Sequence, residues 1–314
     1  VNFDGGDQQK GVKEAEGKEV ASDHKEGVNE ELEILSKSAK SGPFEICGSY
    51  KSFKSTRNKK VIFEMVSIWV NRVLDIGVEK LMKEFRKLPK YKKGAMTKKA
   101  FSRNKALNRY VDVPCQDARR VILKWPGINN DYIHANYVAT PRSDHHFICT
   151  QGPLENTMHA FWAMVLQEKS DYVLMLCNVI ECDRVKCEQY WPREIGEAMV
   201  FGENNDGRIV VTSMDAHPMS DEDFFIRVSK LRLDFIENGN DATRVVSHYH
   251  WENWPDRGVP SAKLTPINLL AEVRDSNAPI IVHCSAGIGR TGTIVAISYV
   301  QEKMQNGVSH TQSE

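Results

Sequence analysis

The sequence has 314 residues, of which 41% are hydrophobic and 27% are charged. This length allows one large domain with a tail or two small domains, and the apolar fraction supports a sizeable core. The 42 basic residues balance the 42 acidic ones, so net charge indicates no class of partner, and the absence of an apolar run of about 18 residues argues against a membrane span.

The cysteine content indicates the compartment. Seven cysteines, an odd number without a regular framework, predict reduced thiols and therefore an intracellular, cytoplasmic protein. No secretory signal is visible at the N-terminus. Because the chain begins with Val1 and not Met, the cytoplasmic part of a longer parent is the alternative.

The first 60 residues carry eleven basic and eleven acidic side chains and few large apolar ones. Such a segment buries too little surface to offset its chain entropy, so we predict a disordered, charged tail over residues 1–60. Apolar residues at helical spacing predict a helix over residues 61–88, divided at Gly77 and ended by Pro89. Residues 80–109 hold twelve basic residues and one acid, which we interpret as a solvated basic face; attraction of acidic phosphopeptides, nucleic acid or anionic lipid is the alternative.

Strand and helix patterns are mixed over the rest of the chain. Apolar runs and alternation predict strands at residues 121–124, 131–140, 146–150, 172–177, 185–191, 208–213, 224–235, 243–251 and 280–282. Helical spacing predicts helices at 156–168, at 263–274 and from Arg290 onward, the first of them capped by Asn156 or Thr157. Residues 237–241 indicate a turn between antiparallel strands. The mixture predicts one α+β or mixed-sheet α/β domain over residues 61–314.

Residues 279–293 contain the densest chemical signal. A β-branched run ends at His283 and Cys284, a glycine-containing loop spans residues 285–289, and a helical pattern begins at Arg290. Backbone N–H groups in such a loop, at a helix N-terminus, bind an anion and favour an ionised thiolate. Arg290 can direct two N–H groups to a phosphate. We call the loop of residues 285–289 the cradle and Arg290 the clamp. Together with the nucleophilic thiol of Cys284 they indicate phosphoryl transfer through a cysteinyl-phosphate.

Two similar patterns carry less weight. Cys187 and Arg193 have the same spacing as Cys284 and Arg290, but the residues between them include a stiff Trp-Pro and no glycine, so they cannot surround an anion. The glycines of the loop also match the dinucleotide fingerprint Gly-x-Gly-x-x-Gly. That interpretation needs a further strand and an acid about 20 residues later, and only polar sequence follows.

A thiolate that attacks a phosphate ester needs a proton donor for the leaving oxygen. Trp254-Pro255-Asp256 supplies an acid in a loop shaped by proline and glycine, 28 residues before Cys284. We interpret Asp256 as a general acid on a lid over the anion site, the alternative being an ordinary turn.

Several separated motifs resemble the protein tyrosine phosphatases, the cysteine-dependent enzymes specific for phosphotyrosine. In chain order they are Asn108-Arg109-Tyr110, Asp131-Tyr-Ile-His-Ala-Asn-Tyr, Thr150-Gln-Gly-Pro-Leu, Phe161-Trp162, Lys186-Cys-Glu-Gln-Tyr-Trp-Pro, Trp254-Pro-Asp and His283-Cys-Ser-Ala-Gly-Ile-Gly-Arg-Thr-Gly. His134 stands where the family usually has Asn. The resemblance covers roughly residues 75–305 and implies a highly twisted mixed β-sheet flanked by helices.

The resemblance also implies a role for each matching residue. Cys284 is expected to be the nucleophile, Arg290 the phosphate clamp, and Asp256 the general acid and then the base. Tyr110 is expected to stack on the substrate ring and to set the pocket depth, and Asp112 to hold the peptide backbone. Glu181 is expected to pair with Arg290 and orient it, and Lys186 to contact the acid loop. Thr291 is expected to donate a hydrogen bond to the thiolate, and His283 to help keep the pKa of the Cys284 thiol low. Backbone N–H donors are expected at Ser285, Ala286, Gly287, Ile288 and Gly289. Read without the resemblance, Glu181 and Lys186 are ordinary surface charges.

One departure from the family's pattern concerns the end of the chain. Family members continue past this last helix, through further helices and a glutamine-containing loop that positions the hydrolytic water, whereas this sequence ends at Glu314 with a polar stretch. We therefore expect a C-terminally incomplete catalytic domain with slow release of the cysteinyl-phosphate. The alternative function is a catalytically impaired module that binds and traps phosphotyrosine proteins.

The expected partners are tyrosine-phosphorylated proteins. No aromatic side chains alternate with the basic ones of residues 80–109, so nucleic acid is not expected. Pairs such as His145-His146, His248-x-His250 and the cysteines at 177, 182 and 187 raise metal binding as an alternative. On a strand these spacings close no site without further ligands, so we expect neither a metal nor another cofactor.

Overall fold

The computed structural model describes residues 56–88, 96–203, 207–256, 258–261 and 264–305. The predicted tail lies outside these residues except for its last five, which belong to a helix. The chain divides into two compact units, residues 1–88 and 89–314, which are treated separately. The predicted domain limits of 1–60 and 61–314 stay predictions.

The described part of the first unit is helix α1, Thr56–Lys87. Gly77 interrupts it with φ 71° and ψ 162°, a conformation open to glycine, so the predicted division of the helix is confirmed. Arg72 and Glu84, on either side of the interruption, form an exposed ion pair at 3.4 Å. Among the described residues no helix has both the length and the apolar character needed to cross a membrane.

The second unit is built on a nine-stranded mixed sheet, as the fold class predicted. Its strands are β1 (Arg120–Ile122), β2 (Tyr132–Thr140), β3 (Ser143–Thr150), β4 (Tyr172–Met175), β7 (Ala198–Phe201), β8 (Ile209–Pro218), β9 (Ile226–Glu237), β10 (Asn240–Trp251) and β11 (Ile280–His283), and a separate hairpin is formed by β5 (Ile180–Glu181) and β6 (Arg184–Val185). The order across the sheet is β1-β2-β3-β11-β4-β10-β9-β8-β7.

Strand β11 lies in the middle of the sheet, parallel to β3 on one side and to β4 on the other. Its four residues are at most 1% exposed, because both faces of a central parallel strand are covered. This explains the uninterrupted β-branched run before His283. The chain leaves the strand at its carboxyl end, where open α/β sheets bind ligands.

In the described part of this unit, four α-helices accompany the sheet: α2 (Lys99–Arg103), α3 (Met158–Gln167), α4 (Thr265–Val273) and α5 (Arg290–Gln305). Six consecutive residues of α3, from Phe161 to Leu166, are buried in the main core. Thr157 does occupy the N-cap position of α3, but its hydroxyl does not cap that helix; it accepts the Leu154 N–H at 2.8 Å, within the short 3-10 turn that precedes α3. The helix predicted from Arg290 is confirmed as α5.

Two assignments made from the sequence differ from the structure. Residues 185–191 were predicted as a strand, yet only β6 is extended there, and the chain beyond it bonds to loops: Lys186 N–H to Val179 O at 2.8 Å and Glu188 N–H to Pro153 O at 2.9 Å. Burial of Cys187, not strand pairing, accounts for the apolar pattern. The edge strand β7 was not predicted, because its four residues show no alternation long enough to detect.

Candidate active site

The loop between β11 and α5 holds Cys284 at its start. Gly287 has φ +75°, and a Cβ at this position would lie 2.3 Å from the Thr150 carbonyl oxygen. Only glycine satisfies both constraints, so Gly287 allows a tight turn three residues after the cysteine.

The backbone N–H groups of this loop, residues 285–289, make no hydrogen bond within the part of the chain that the structure describes. Helix α5 begins immediately afterwards at Arg290. Converging free N–H groups at a helix N-terminus bind an anion with several oxygens. The predicted role of Ser285, Ala286, Gly287, Ile288 and Gly289 as backbone donors to an anion stays a prediction, and their unused N–H groups are compatible with it.

Cys284 is 5% exposed, and all six cysteines among the described residues are free thiols. Its carbonyl oxygen accepts a hydrogen bond from His283 Nδ1 at 3.2 Å. The predicted hydrogen bond from Thr291 to the thiol is absent: Thr291 is fully buried, and its hydroxyl has no partner among the described residues.

Arg290 is oriented by a buried carboxylate. Its Nη1 and Nη2 donate to the two carboxylate oxygens of Glu181 at 2.6 and 2.8 Å, and Nη1 also donates to Leu176 O at 2.8 Å. The two side chains are only 10% and 7% exposed. Burial opposes the charge, but the Glu181 hydrogen bonds outweigh it and raise the pKa of Arg290. A charged, planar group is thus held rigidly beside Cys284, with Glu181 in its predicted place.

Asp256 joins this cluster from the loop after β10. Its carboxylate lies 2.8 Å from Lys186 Nζ and 3.5 Å from Arg290 Nη2. The hydrogen bond to Asp256 raises the pKa of Lys186. Trp254, which is 5% exposed, fixes the loop by donating its Nε1–H to Gly258 O at 3.2 Å. The predicted contact between Lys186 and the acid loop is present, and the acid stands next to the clamp.

Tyr110 approaches the cradle from another loop. Ser285 Oγ donates to Lys186 O at 2.8 Å, so the 2.8 Å contact between Tyr110 and Ser285 has the tyrosine hydroxyl as donor. Asp112, two residues on, is exposed to solvent. Tyr110 therefore lies at the edge of the cradle, and the role of Asp112 stays a prediction.

Hydrogen bonds from Arg109 to a distant turn, which the sequence did not predict, hold the Tyr110 loop in place; we call them the Arg109 staple. Arg109 donates from Nε to Gly152 O at 2.9 Å and from Nη2 to Pro153 O at 2.6 Å. Gln151 Oε1 accepts the Arg109 N–H at 2.8 Å, and Gly152 N–H donates to Ser285 O at 2.9 Å. Substrate loop and phosphate loop are thus tied to one turn. Only the resemblance flagged these residues, without assigning them this role.

Behind the cradle lies a second unpredicted feature, a chain of buried polar groups. Tyr190 OH is 2.7 Å from Nε2 of both His283 and His248. Since His283 Nδ1 donates to a carbonyl, its Nε2 accepts from Tyr190, and His248 Nε2 donates to the tyrosine oxygen. Burial lowers the pKa of His283 to about 3, so the ring is neutral and supports the loop by hydrogen bonding, without a charge.

Buried histidines make the fold sensitive to acid. Burial lowers the pKa of His283 to about 3 and that of His250 to about 4, against 6.5 for the free side chain. Below pH 6.5 the histidines of the unfolded chain bind protons that the folded chain excludes. The full free energy of unfolding is therefore retained only above that pH. It should fall by up to ~1.4 kcal/mol per pH unit for each histidine as the pH drops towards the folded values.

Urea unfolding at pH 7.5 and 5.5 measures this loss of stability. In a His250→Gln variant, whose amide nitrogen can take the place of the Nε2 that contacts the Cys177 carbonyl at 3.0 Å, the decline with acid should be shallower. Equal slopes in wild type and variant would contradict the prediction.

The patterns given less weight do not form sites. Cys187 is fully buried, while Arg193 is 45% exposed and pairs with Glu252 at 3.3 Å, so the second Cys-x5-Arg surrounds no anion. Within the described ranges, no group of three or more His, Cys, Asp or Glu residues is arranged to hold a metal ion.

Comparison with known proteins gives consistent matches. The family model described as protein-tyrosine phosphatase matches residues 104–312. The human tyrosine-protein phosphatase non-receptor type 2 is 38% identical over 213 residues, covering 66% of this chain and 48% of the relative. The human receptor-type tyrosine-protein phosphatase zeta is 33% identical over 65% of this chain and 9% of its own length.

Solved structures agree with the sequence matches. PTPN18 in complex with HER2 phosphopeptides superposes with a TM-score of 0.59 and 30% identity, covering 69% of this chain and 79% of that one. The chain spans about half the length of the non-receptor relatives from human and mouse. The similarity therefore covers the whole described site but only part of those proteins.

Proposed function

Because the chain belongs to the protein tyrosine phosphatase family, we propose that it hydrolyses phosphotyrosine in proteins through a cysteinyl-phosphate intermediate. The observation that carries this is the Cys284 thiol at the start of five free backbone N–H groups, beside an arginine fixed by Glu181. This arrangement provides a nucleophile, an oxyanion cradle and a bidentate clamp around one point.

In the first step the phosphate of the substrate binds the N–H groups of the cradle and the Arg290 guanidinium. The Cys284 thiolate attacks phosphorus, the bond to the tyrosine oxygen breaks, and Asp256 protonates the leaving phenolate. The fixed donors stabilise the charge that develops on the phosphoryl oxygens in the transition state. Lys186 and Arg290 hold the Asp256 carboxyl group at the site.

In the second step a water molecule attacks the phosphorus of the cysteinyl-phosphate. Asp256, left as a carboxylate, takes a proton from that water, and the sulfur leaves as the thiolate. Inorganic phosphate is released and the enzyme is restored. Asp256 thus acts first as acid and then as base.

The preference for phosphotyrosine follows from the Tyr110 loop. The hydrogen bond to Ser285 and the Arg109 staple fix how far Tyr110 stands from the cradle. Tyr110 then stacks on the substrate ring, and the short side chain of phosphoserine does not bring its phosphate to Cys284. Asp112 is exposed and free to accept N–H groups of the peptide. The PTPN18 structures with phosphopeptides support substrates of this class.

The test compares two peptides of the same sequence, one with phosphotyrosine and one with phosphoserine, and follows release of inorganic phosphate. We expect hydrolysis of the phosphotyrosine peptide alone, and an acid quench should recover phosphate bound to Cys284. A burst of one equivalent followed by slow turnover would match the expected slow release of the cysteinyl-phosphate, whereas a burst with no further turnover would favour the trapping alternative. Hydrolysis of both peptides at equal rates would refute the proposed specificity.

Asp256→Asn is the matched variant for this assay. It preserves the size of the side chain but cannot donate a carboxyl proton, so kcat should fall by about 10²-fold with little change in KM. An unchanged kcat would refute the role of Asp256.

A further inference from the structure

Two of the most exposed apolar side chains lie beside the candidate site. Val259 is 87% exposed and Val111 is 86% exposed, the two highest values among the large apolar residues that the structure describes. A third aliphatic residue, Ile288, is 63% exposed. Val111 follows Tyr110 directly, Val259 comes three residues after Asp256, and Ile288 belongs to the phosphate cradle. We call these three residues the apolar rim.

The backbone next to each rim residue is fixed. Before Val111, the Tyr110 hydroxyl bonds Ser285, and after it His134 Nε2 contacts Val113 O at 2.9 Å. The ring nitrogen is the donor there, since the carbonyl can only accept. Val111 therefore stands at the tip of a loop held on both sides.

The other two members are held in the same way. Gly258, which precedes Val259, has its carbonyl bonded to Trp254 Nε1 at 3.2 Å. Gly287, which precedes Ile288, fits against the Thr150 carbonyl so closely that no Cβ could be accommodated. A residue near each exposed side chain is thus tied to another part of the structure by a hydrogen bond or by close packing, which lowers the entropy that a ligand must remove on binding.

The position of the apolar rim indicates which part of a bound substrate contacts it. The cradle fixes the phosphate of a bound phosphotyrosine, so the residues flanking that tyrosine in the substrate must pass over the three surrounding loops. Val111 offers them an apolar contact, and the exposed Asp112 beside it repels acidic side chains. Val245 on β10, 54% exposed, belongs to none of these three loops and serves as the comparison.

We propose, on the basis of the proposed function, that the apolar rim makes this protein select phosphotyrosine flanked by aliphatic or aromatic residues over phosphotyrosine flanked by acidic residues. The recognised substrate class is therefore a phosphotyrosine segment of apolar sequence. The rim sets the preference among phosphotyrosine sites, whereas the cradle and Tyr110 set the requirement for phosphotyrosine itself.

The test measures kcat/KM for two matched phosphopeptides that differ only in the residues on either side of phosphotyrosine, leucine in one and glutamate in the other. Burial of aliphatic surface on the rim is expected to favour the leucine peptide about 5- to 20-fold. Val111→Thr, which keeps the shape but replaces one methyl group by a hydroxyl, should reduce this ratio about threefold. Val111→Lys should reverse it, and Val245→Lys should leave it unchanged.

Hydrolysis of p-nitrophenyl phosphate, which has no flanking residues, separates the two proposals and should be equal in wild type and both Val111 variants. Normal turnover of this compound with equal kcat/KM for the two peptides would overturn the rim proposal and leave the proposed function intact. If the wild-type protein turned over neither p-nitrophenyl phosphate nor either of the two peptides, the proposed function would be refuted. Peptide binding to a Cys284→Ser variant, followed by fluorescence polarisation, then still decides the rim: equal dissociation constants overturn it.

Discussion

Replacing Cys284 by serine should abolish hydrolysis of phosphotyrosine peptides, with a loss in kcat of at least ~10⁴-fold. A serine hydroxyl is far less acidic than a thiol, and the described structure places no general base on residue 284: His283, its neighbour, directs both ring nitrogens to Cys284 O and Tyr190. Free N–H groups and Arg290 remain, so the phosphopeptide should still bind. Steady-state kinetics together with equilibrium peptide binding measure both halves of this expectation.

Cys182→Ser is the control, because Cys182 is the exposed cysteine at the tip of the β5–β6 hairpin. It should match wild type in both measurements. If Cys284→Ser retained turnover within tenfold of wild type, covalent catalysis by this thiol would be refuted. Loss of peptide binding in the same variant would show that the thiol, and not the cradle, holds the phosphate.

The features that the sequence predicted are those set by short stretches of chain. The strand before Cys284 is recognisable because four consecutive buried residues leave an unbroken β-branched run. The turn at Gly287 follows from glycine spacing, and the break at Gly77 from one residue in an otherwise periodic helix. In each case the physical cause lies within a few residues of its effect.

The features that it did not predict depend on contacts between distant segments. Arg109 is tied to Gly152 and Pro153, which lie more than 40 residues away, and Tyr190 joins two histidines from different strands. An arginine or a tyrosine in isolation has no local signal for such partners. The strand predicted over residues 185–191 is explained in the same way, because Cys187, Tyr190 and Trp191 are buried by contacts with distant segments and not by strand pairing.

The hairpin that carries Glu181 and Lys186 illustrates the same limit. Its turn residues, Cys182 and Asp183, both have positive φ, at 49° and 57°. A two-residue turn of this kind normally signals itself by Asn-Gly or Asp-Gly. Here the hairpin orients Glu181 towards Arg290 and leads directly into Lys186 beside Asp256, so its unusual backbone positions two groups of the site at once.

Gly287→Ala should damage both activity and stability. The new Cβ would lie 2.3 Å from Thr150 O and 2.9 Å from Gln151 N, and the residue would keep a φ of +75° that alanine disfavours. The loop must therefore move, which displaces the N–H groups from the positions of the phosphoryl oxygens. We expect kcat to fall by about 10³-fold and the free energy of unfolding by about 2–4 kcal/mol.

Gly292→Ala provides the comparison that isolates the cause. Gly292 lies in helix α5 just after the loop, and a Cβ there meets nothing within 4 Å. Alanine in a helix interior is favoured over glycine by up to ~1 kcal/mol, so this variant should keep its activity and resist urea slightly better. If Gly287→Ala behaved like Gly292→Ala, the contact with Thr150 would not fix the cradle. If only Gly287→Ala lost activity, the single left-handed residue after Cys284 would be the structural requirement for phosphate binding.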